Sequence, residues 1–270
     1  MPSPSRGLGP GQYTDDTLMA LCHAHSLIEK GRVEPEDISH KFIAWYDSGN
    51  LRGIGGTTAY AIKRLKKGHN WQESGATGEY AAGNGGAMRI APVGLFYHND
   101  LPSLREAVRK AVIITHNNQE AVAGALAVAY LVAKSVREEL NPDTTIQDVS
   151  DFIGPCKVRE NLLRAGELLD LGATPGKALE TLGTSGYVVE TVASAVFCLL
   201  YSPNDFYNTV VNAVSGGADT DTTATVAGAI SGSYNGIKGI PEEWLKGVED
   251  STGLQALADK LYSVCMDKNK

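Results

Sequence analysis

The sequence predicts a single all-α domain. Three observations carry that reading. Apolar residues recur at helical spacing along most of the chain from Thr14 onward. No run alternates apolar and polar residues as a half-buried strand would. Glycines and prolines stand where such helices would start and stop. With 270 residues, 43% hydrophobic and 20% charged, the chain suits one compact domain and is neither disordered nor collagen-like. It shows no internal repeat and no linker-like stretch.

Residues 1–13, MPSPSRGLGPGQY, are expected to be irregular, because Pro2, Pro4 and Pro10 block regular structure. They also lack the apolar core of a secretory signal. The all-α domain is expected over 14–270. Its first helix starts at Thr14, places Leu18, Leu21, Cys22 and Ile28 on one face, and stops at Gly31. The second begins at Pro35, carries Ile38, Phe42 and Trp45, and ends near Gly49. A third runs from Thr57 to Lys67, closed by Gly68, and residues 69–85 read as irregular. Further helices are expected at 102–114, 117–138, 159–171, 187–200, 204–214, 222–234 and 252–267. The 117–138 segment has a seam of small residues, Ala121, Gly124, Ala125 and Ala129, along which another helix can approach closely. The short runs 111–115 and 187–192 could pass as strands, but helical spacing continues for more than ten residues, so length assigns them to helices. Pro155 and Pro175 are read as loop residues.

The net charge of −7 leaves no basic footprint for nucleic acid. An acidic protein can still hold a phosphate ligand through backbone N–H groups or metal ions. No window approaches 18 uninterrupted apolar residues, so no membrane-spanning helix is expected. The four cysteines form no CxxC and are read as reduced thiols of a cytoplasmic protein.

Two acidic clusters could carry chemistry: Thr14-Asp15-Asp16-Thr17 and Asp219-Thr220-Asp221-Thr222, each opening a helix. Taken singly, each reads as helix capping, since Thr caps well and first-turn Asp suits the helix dipole. Taken together, four carboxylates and two hydroxyl residues, Thr14 and Thr222, make an oxygen-only set that suits Mg²⁺ or Mn²⁺ and not zinc. The second cluster is no EF-hand, with Ala224 at the loop-glycine position and Ile230 at the bidentate-Glu position. Thirty of 270 residues are glycine, against a usual ~7%. They gather at Gly53–Gly56, Gly83–Gly86 and Gly216–Gly217, where a backbone can approach a ligand closely. The stretch 83–89, Gly-Asn-Gly-Gly-Ala-Met-Arg, is neither a P-loop nor a dinucleotide fingerprint. His116 reads as a capping or core residue by itself, and Tyr187 either stacks on a base or packs. A prenyl-synthase reading fails on both of its metal motifs, because Met19 replaces the last Asp of DDxxD, and Asn208 and Asn212 replace the Ser and Glu of the second.

The set TDDT (14–17), GNGGAMR (83–89), ITHNNQEAVAGA (114–125), SGYVVET (185–191) and SGGADTDTTA (215–224) resembles the ADP-ribosylglycohydrolases, in order from residue 12 to about 235. The resemblance implies a compact multi-helix fold with two Mg²⁺ or Mn²⁺ held by Thr14, Asp15, Asp16, Asp219, Asp221 and Thr222. It implies that Gly55, Asn84, Gly85, Gly86, Met88 and His116 line an ADP-ribose cleft, with Tyr187 near the ligand. The activity implied is hydrolysis of the glycosidic bond of ADP-ribosylated substrates, ADP-ribosyl-arginine on protein foremost, with Asp16 or Asp219 taking the proton from water. The alternative is a weakly active or inactive member that binds ADP-ribose or serves a structural role. The family's usual opening helix, with its Gly-Asp-Ala-x-Gly motif, is not seen before Thr14, and Gly53 stands where an Asp is usual. An exposed apolar groove beside the first acidic cluster, self-association and slow turnover are the corresponding expectations.

Overall fold

The computed structural model describes residues 7–268, so residues 1–6 of the expected irregular segment lie outside it; residues 7–13 carry no helix. Fifteen α-helices and three short 3-10 turns are present among the described residues, with no strand beyond two isolated bridges. The helices are α1 (Asp15–Lys30), α2 (Pro35–Asp47), α3 (Gly56–Lys66), α4 (Trp71–Ser74), α5 (Ala91–Phe96), α6 (Leu101–Ile113) and α7 (Gln119–Val136). They continue with α8 (Thr145–Ile153), α9 (Lys157–Asp170), α10 (Pro175–Leu182), α11 (Val188–Tyr201), α12 (Phe206–Val214), α13 (Thr220–Asn235), α14 (Glu242–Gly247) and α15 (Ser251–Lys268).

Local signals set the ends. Gly31 takes the left-handed conformation at φ 64° and donates its N–H to Leu27 O, closing α1. Asn118 accepts from the N–H groups of Glu120 and Ala121 and so caps α7. Pro175 is a correction: it is the first residue of α10 and not a loop residue, because proline lacks only an N–H that a first turn leaves unused anyway. Helices α4, α5, α8, α10 and α14 were not expected, α4 lying within the stretch 69–85 that reads as irregular; none exceeds nine residues, too short for a periodic pattern to stand out.

The core forms around α7 and α11. Helix α7 is long and apolar enough to cross a bilayer, yet its residues are mostly buried inside the fold. Along its seam a Cβ added at Gly124 would lie 2.3 Å from Val188 Cγ2, so α11 can dock only against glycine there. On the opposite neighbour, α5, a Cβ at Gly94 would lie 2.7 Å from the Ala129 carbonyl. Gly94→Ala is expected to destabilise by about 2 kcal/mol, since overpacking against backbone outweighs the ~1 kcal/mol gained in helix propensity. Gly228→Ala in α13, where the nearest atom would be 3.5 Å away, is expected to stabilise instead. Thermal melts of the two variants should move in opposite directions; the same direction for both would refute the packing argument.

An apolar groove of about 270 Å³ runs along α1, between Ala20, Leu21 and Ala24 on one side and Leu254, Leu257 and Leu261 of α15 on the other. No disulfide joins any of the four cysteines.

Candidate active site

The chain folds so that three helix N-termini and one glycine loop meet at a single cavity of about 440 Å³. The start of α1 supplies Asp15 and Asp16, and the start of α13 supplies Asp219, Asp221 and Thr222. The start of α3 supplies Gly55, Gly56, Thr57 and Thr58. The loop contributes Gly83, Asn84, Gly85 and Met88, with His116 beneath it and Gly186 beside it.

Long-range backbone bonds hold these pieces. The Asp15 N–H donates to Arg52 O at 2.7 Å, tying α1 to the loop before α3. Arg52 pairs with Glu249, and Glu249 accepts from the Tyr13 N–H at 3.1 Å, so the chain entering α1 is clamped from the far end of the sequence. The Asp219 N–H donates to Thr184 O at 2.9 Å, and the Asn84 N–H donates to Gly186 O at 3.0 Å. Asn84 Nδ2 then donates to Asp219 Oδ2 at 2.8 Å and Thr191 Oγ1 at 2.9 Å, joining the glycine loop to the second acidic cluster.

Side-chain capping does not account for the two clusters. Thr14 and Asp219 occupy the N-cap positions of α1 and α13, but neither side chain caps its helix. The Thr14 hydroxyl donates instead to Asp16 Oδ2 at 2.8 Å, and Asp219 accepts from Asn84. Asp16 is buried, and among the described residues its Oδ1 has no hydrogen-bond partner. Burial pushes its carboxyl up to about 6, with the charge of Asp221 adding to the rise. Burial likewise raises Asp219, again with Asp221 contributing. By contrast, α3 has no acidic residue in its first turn and no side-chain cap. Its positive dipole end is therefore open to an anion, while α1 and α13 have theirs loaded with carboxylates.

Most of the residues expected from sequence line this cavity: Asp15, Asp16, Gly55, Asn84, Gly85, Met88, His116, Asp219, Asp221 and Thr222. Thr14 reaches it through Asp16. Gly86 lies behind the loop, where a Cβ would meet Val112 Cγ1 at 2.8 Å, so it packs and does not line the cavity. Tyr187 belongs to an adjoining cavity with Glu79, Tyr80 and Lys157, which shares Gly83 and Gly186 with the first. Gly53 lines the main cavity at φ 81°, a conformation that favours glycine over other residues. Gly186 and Ala218 also line it and were not singled out as site residues; only their membership of small-residue runs pointed to them.

No three His, Cys, Asp or Glu side chains form a ready-made cation cage among the described residues. The donors nonetheless fit a hard divalent cation. All are oxygens, four carboxylates face one cavity, and a buried carboxylate oxygen of Asp16 lacks a partner among the described residues.

His116 is buried, which together with the nearby Arg89 charge pushes it down to about 3. His23 is also fully buried and held well below its usual value of 6.5 by burial and by Arg89. Both imidazoles stay neutral in the fold and take up protons only on unfolding once the pH falls below their usual range. Metal-free Asp16 has the opposite sign: between about pH 4 and 6 the folded protein keeps a proton that the unfolded chain has released. The raised Asp219 carboxyl acts in the same sense as Asp16 and opposes the two histidines. His116→Gln removes one group that takes up a proton on unfolding, so relative to wild type it should gain about 1.4 kcal/mol of stability for each pH unit lowered between pH 6 and 4, as denaturant titrations would show. An unchanged pH slope in that variant would mean that His116 is not neutral in the fold.

Comparison with known proteins shows what the whole chain is similar to. The ADP-ribosylglycohydrolase family profile matches residues 1–270. An ADP-ribosylarginine hydrolase of Pseudomonas putida (strain GB-1) is 30% identical over 94% of this chain and 67% of its own length. ADP-ribosylhydrolase ARH3 of Homo sapiens is 29% identical over 93% of this chain and 78% of its own. A solved structure described as an ADP-ribosylglycohydrolase-related protein complex superposes with a TM-score of 0.79 at 28% identity, covering 97% of this chain and 85% of that one. With a whole-length family match and relatives of this kind, the chain belongs to the ADP-ribosylglycohydrolase family of enzymes.

Proposed function

We propose that the chain hydrolyses the glycosidic bond of ADP-ribosyl-arginine on protein, releases ADP-ribose, and needs Mg²⁺ or Mn²⁺ to do so. The observation that carries the reading is the meeting of two acid-loaded helix starts and one acid-free helix start in a single glycine-lined cavity. The relative named an ADP-ribosylarginine hydrolase supports arginine as the linkage.

The chain's own groups divide the work. The start of α3, with Gly55 and Gly56, suits the diphosphate, since helix N–H groups and the dipole favour negative charge. The loop at Gly83 and Gly85 lets backbone approach the ligand because neither residue carries a Cβ. Thr14, Asp15, Asp16, Asp219, Asp221 and Thr222 would hold the cations, which when bound neutralise the clustered carboxylates and lower the pKa of water. Asp16 is the first candidate to accept a proton as water adds to the anomeric carbon; its rise to about 6 belongs to the metal-free site, and a bound cation would lower it. Asp219 is held in place by Asn84 and is the second candidate for that proton.

The test is release of free ADP-ribose from a peptide carrying ADP-ribosyl-arginine, with and without EDTA, followed by chromatography. A serine-linked peptide serves as comparator. Cation-dependent release from the arginine peptide is expected. Equal rates with EDTA would remove the metal from the proposal, and faster release from the serine peptide would change the substrate.

A further inference from the structure

Arg89 closes the Gly83–Arg89 loop and is fully buried. Among the described residues its guanidinium bonds only neutral acceptors. Nη1 donates to Gly85 O at 2.8 Å, Nη2 to Thr115 Oγ1 at 2.7 Å and Ala111 O at 3.3 Å, and Nε to His23 Nε2 at 3.2 Å. The Phe42 ring lies 5.0 Å from its centre. A buried cation without a bonded carboxylate is expensive in free energy, so a purely structural filler would do better as an apolar residue.

The bonding pattern shows what the cation organises. A guanidinium can only donate, so Thr115 Oγ1 must accept from it. The Thr115 hydroxyl has one proton, and Oγ1 lies 2.7 Å from His116 Nδ1, the remaining partner at this buried position. Donation of that proton leaves Nδ1 as acceptor and puts the single proton of neutral His116 on Nε2. That nitrogen sits under the ligand loop, 3.1 Å from where a Cβ on Gly83 or Gly85 would be, on the cavity wall.

We propose that Arg89 and Thr115 are positioning residues that lock His116 in its Nε2–H form, making it a fixed hydrogen-bond donor to an oxygen of the bound ADP-ribose and not an acid–base group. The lock follows from the chain's own hydrogen bonds; only the identity of the ligand rests on the proposed function. The depressed affinity of His116 for protons agrees with a donor that never becomes charged near neutral pH.

Histidine-labelled ¹⁵N spectra of the ligand-free protein at neutral pH test the lock directly, with the His116 signals assigned by their loss in His116→Gln. Wild type should show a protonated Nε2 and an unprotonated Nδ1. Thr115→Val, which keeps shape and removes the hydroxyl, should mix the tautomers and weaken ADP-ribose binding by ~10-fold or more, the worth of one hydrogen bond to a buried group. Thr115→Ser should restore both the spectrum and the affinity. A protonated Nδ1 in wild type overturns the proposal, and so does a Thr115→Val protein with wild-type spectrum and affinity. Should Thr115→Val not fold, the wild-type spectrum and the Thr115→Ser affinity still decide. Wild type with the expected tautomer but no ADP-ribose affinity would uphold the lock and overturn the ligand.

Discussion

Asp16→Asn is expected to make the metal-free protein more stable and at the same time to remove ~10³-fold of its activity. The two effects have one cause. Asp16 is buried, one of its oxygens has no partner among the described residues, and its carboxyl is pushed from 3.8 up to about 6. At pH 7 it is therefore ionised against an environment that prefers it neutral, a penalty of roughly 3 kcal/mol relative to the unfolded chain. Asparagine keeps an oxygen for the Thr14 hydroxyl, which now donates to Oδ2. Its amide nitrogen then takes the orphaned position, returning ~1 kcal/mol of the gain. A net rise of about 2 kcal/mol, a few degrees in Tm, should be seen in EDTA. The same change removes one carboxylate from the cation set and a candidate proton acceptor, a role worth ~10²–10⁴ in rate. Wild type should gain Tm when Mg²⁺ or Mn²⁺ is added, and Asp16→Asn should gain far less. A variant that melts lower than wild type in EDTA, or that keeps its activity within tenfold, would show that Asp16 is a structural residue.

How much of this was legible in sequence follows from the range of each interaction. The longer helices are written locally, in apolar spacing and in stop residues such as Gly31, and those expected at 102–114, 159–171 and 222–234 end within two residues of α6, α9 and α13. The short helices α8 and α10 depend on docking against α7, α9 and α11 more than on their own pattern, and the sequence alone did not show them. The acidic clusters were legible as residue types. Their release from capping was not, because Thr14 is drawn away by Asp16 and Asp219 by Asn84, the latter 135 positions distant. Arg89 was visible only as the last letter of a loop motif. Its connection to Thr115 and His23 joins segments that no local pattern relates.

Gly85→Val is expected to abolish ADP-ribose binding, at least ~100-fold in affinity, while leaving the cation site working. The backbone at Gly85 is not in the left-handed region, so the effect is one of space alone. A Cβ there would lie 2.6 Å from His116 Cε1 and 3.1 Å from Nε2. Neither side can yield easily. The loop is held by the Asn84 N–H on Gly186 O and by Arg89 on Gly85 O, and the ring is held by Thr115. The valine methyls must then crowd the imidazole or turn into the cavity, where they occupy space that ligand backbone contacts require. Strain should lower stability by ~1–3 kcal/mol. That loss alone could mimic a binding defect, so the cation response separates the two. The loop meets the acidic residues through the Asn84 amide on Asp219, a contact on the far side of Asn84 from the His116 clash, so Mg²⁺ or Mn²⁺ should still raise the Tm of Gly85→Val, whereas ADP-ribose should no longer do so. Unchanged ADP-ribose affinity by calorimetry would mean that the loop only packs against His116. Loss of both responses would mean that the substitution has collapsed the whole cavity, and that the loop and the acidic helix starts form one structural unit and not two separable halves of a site.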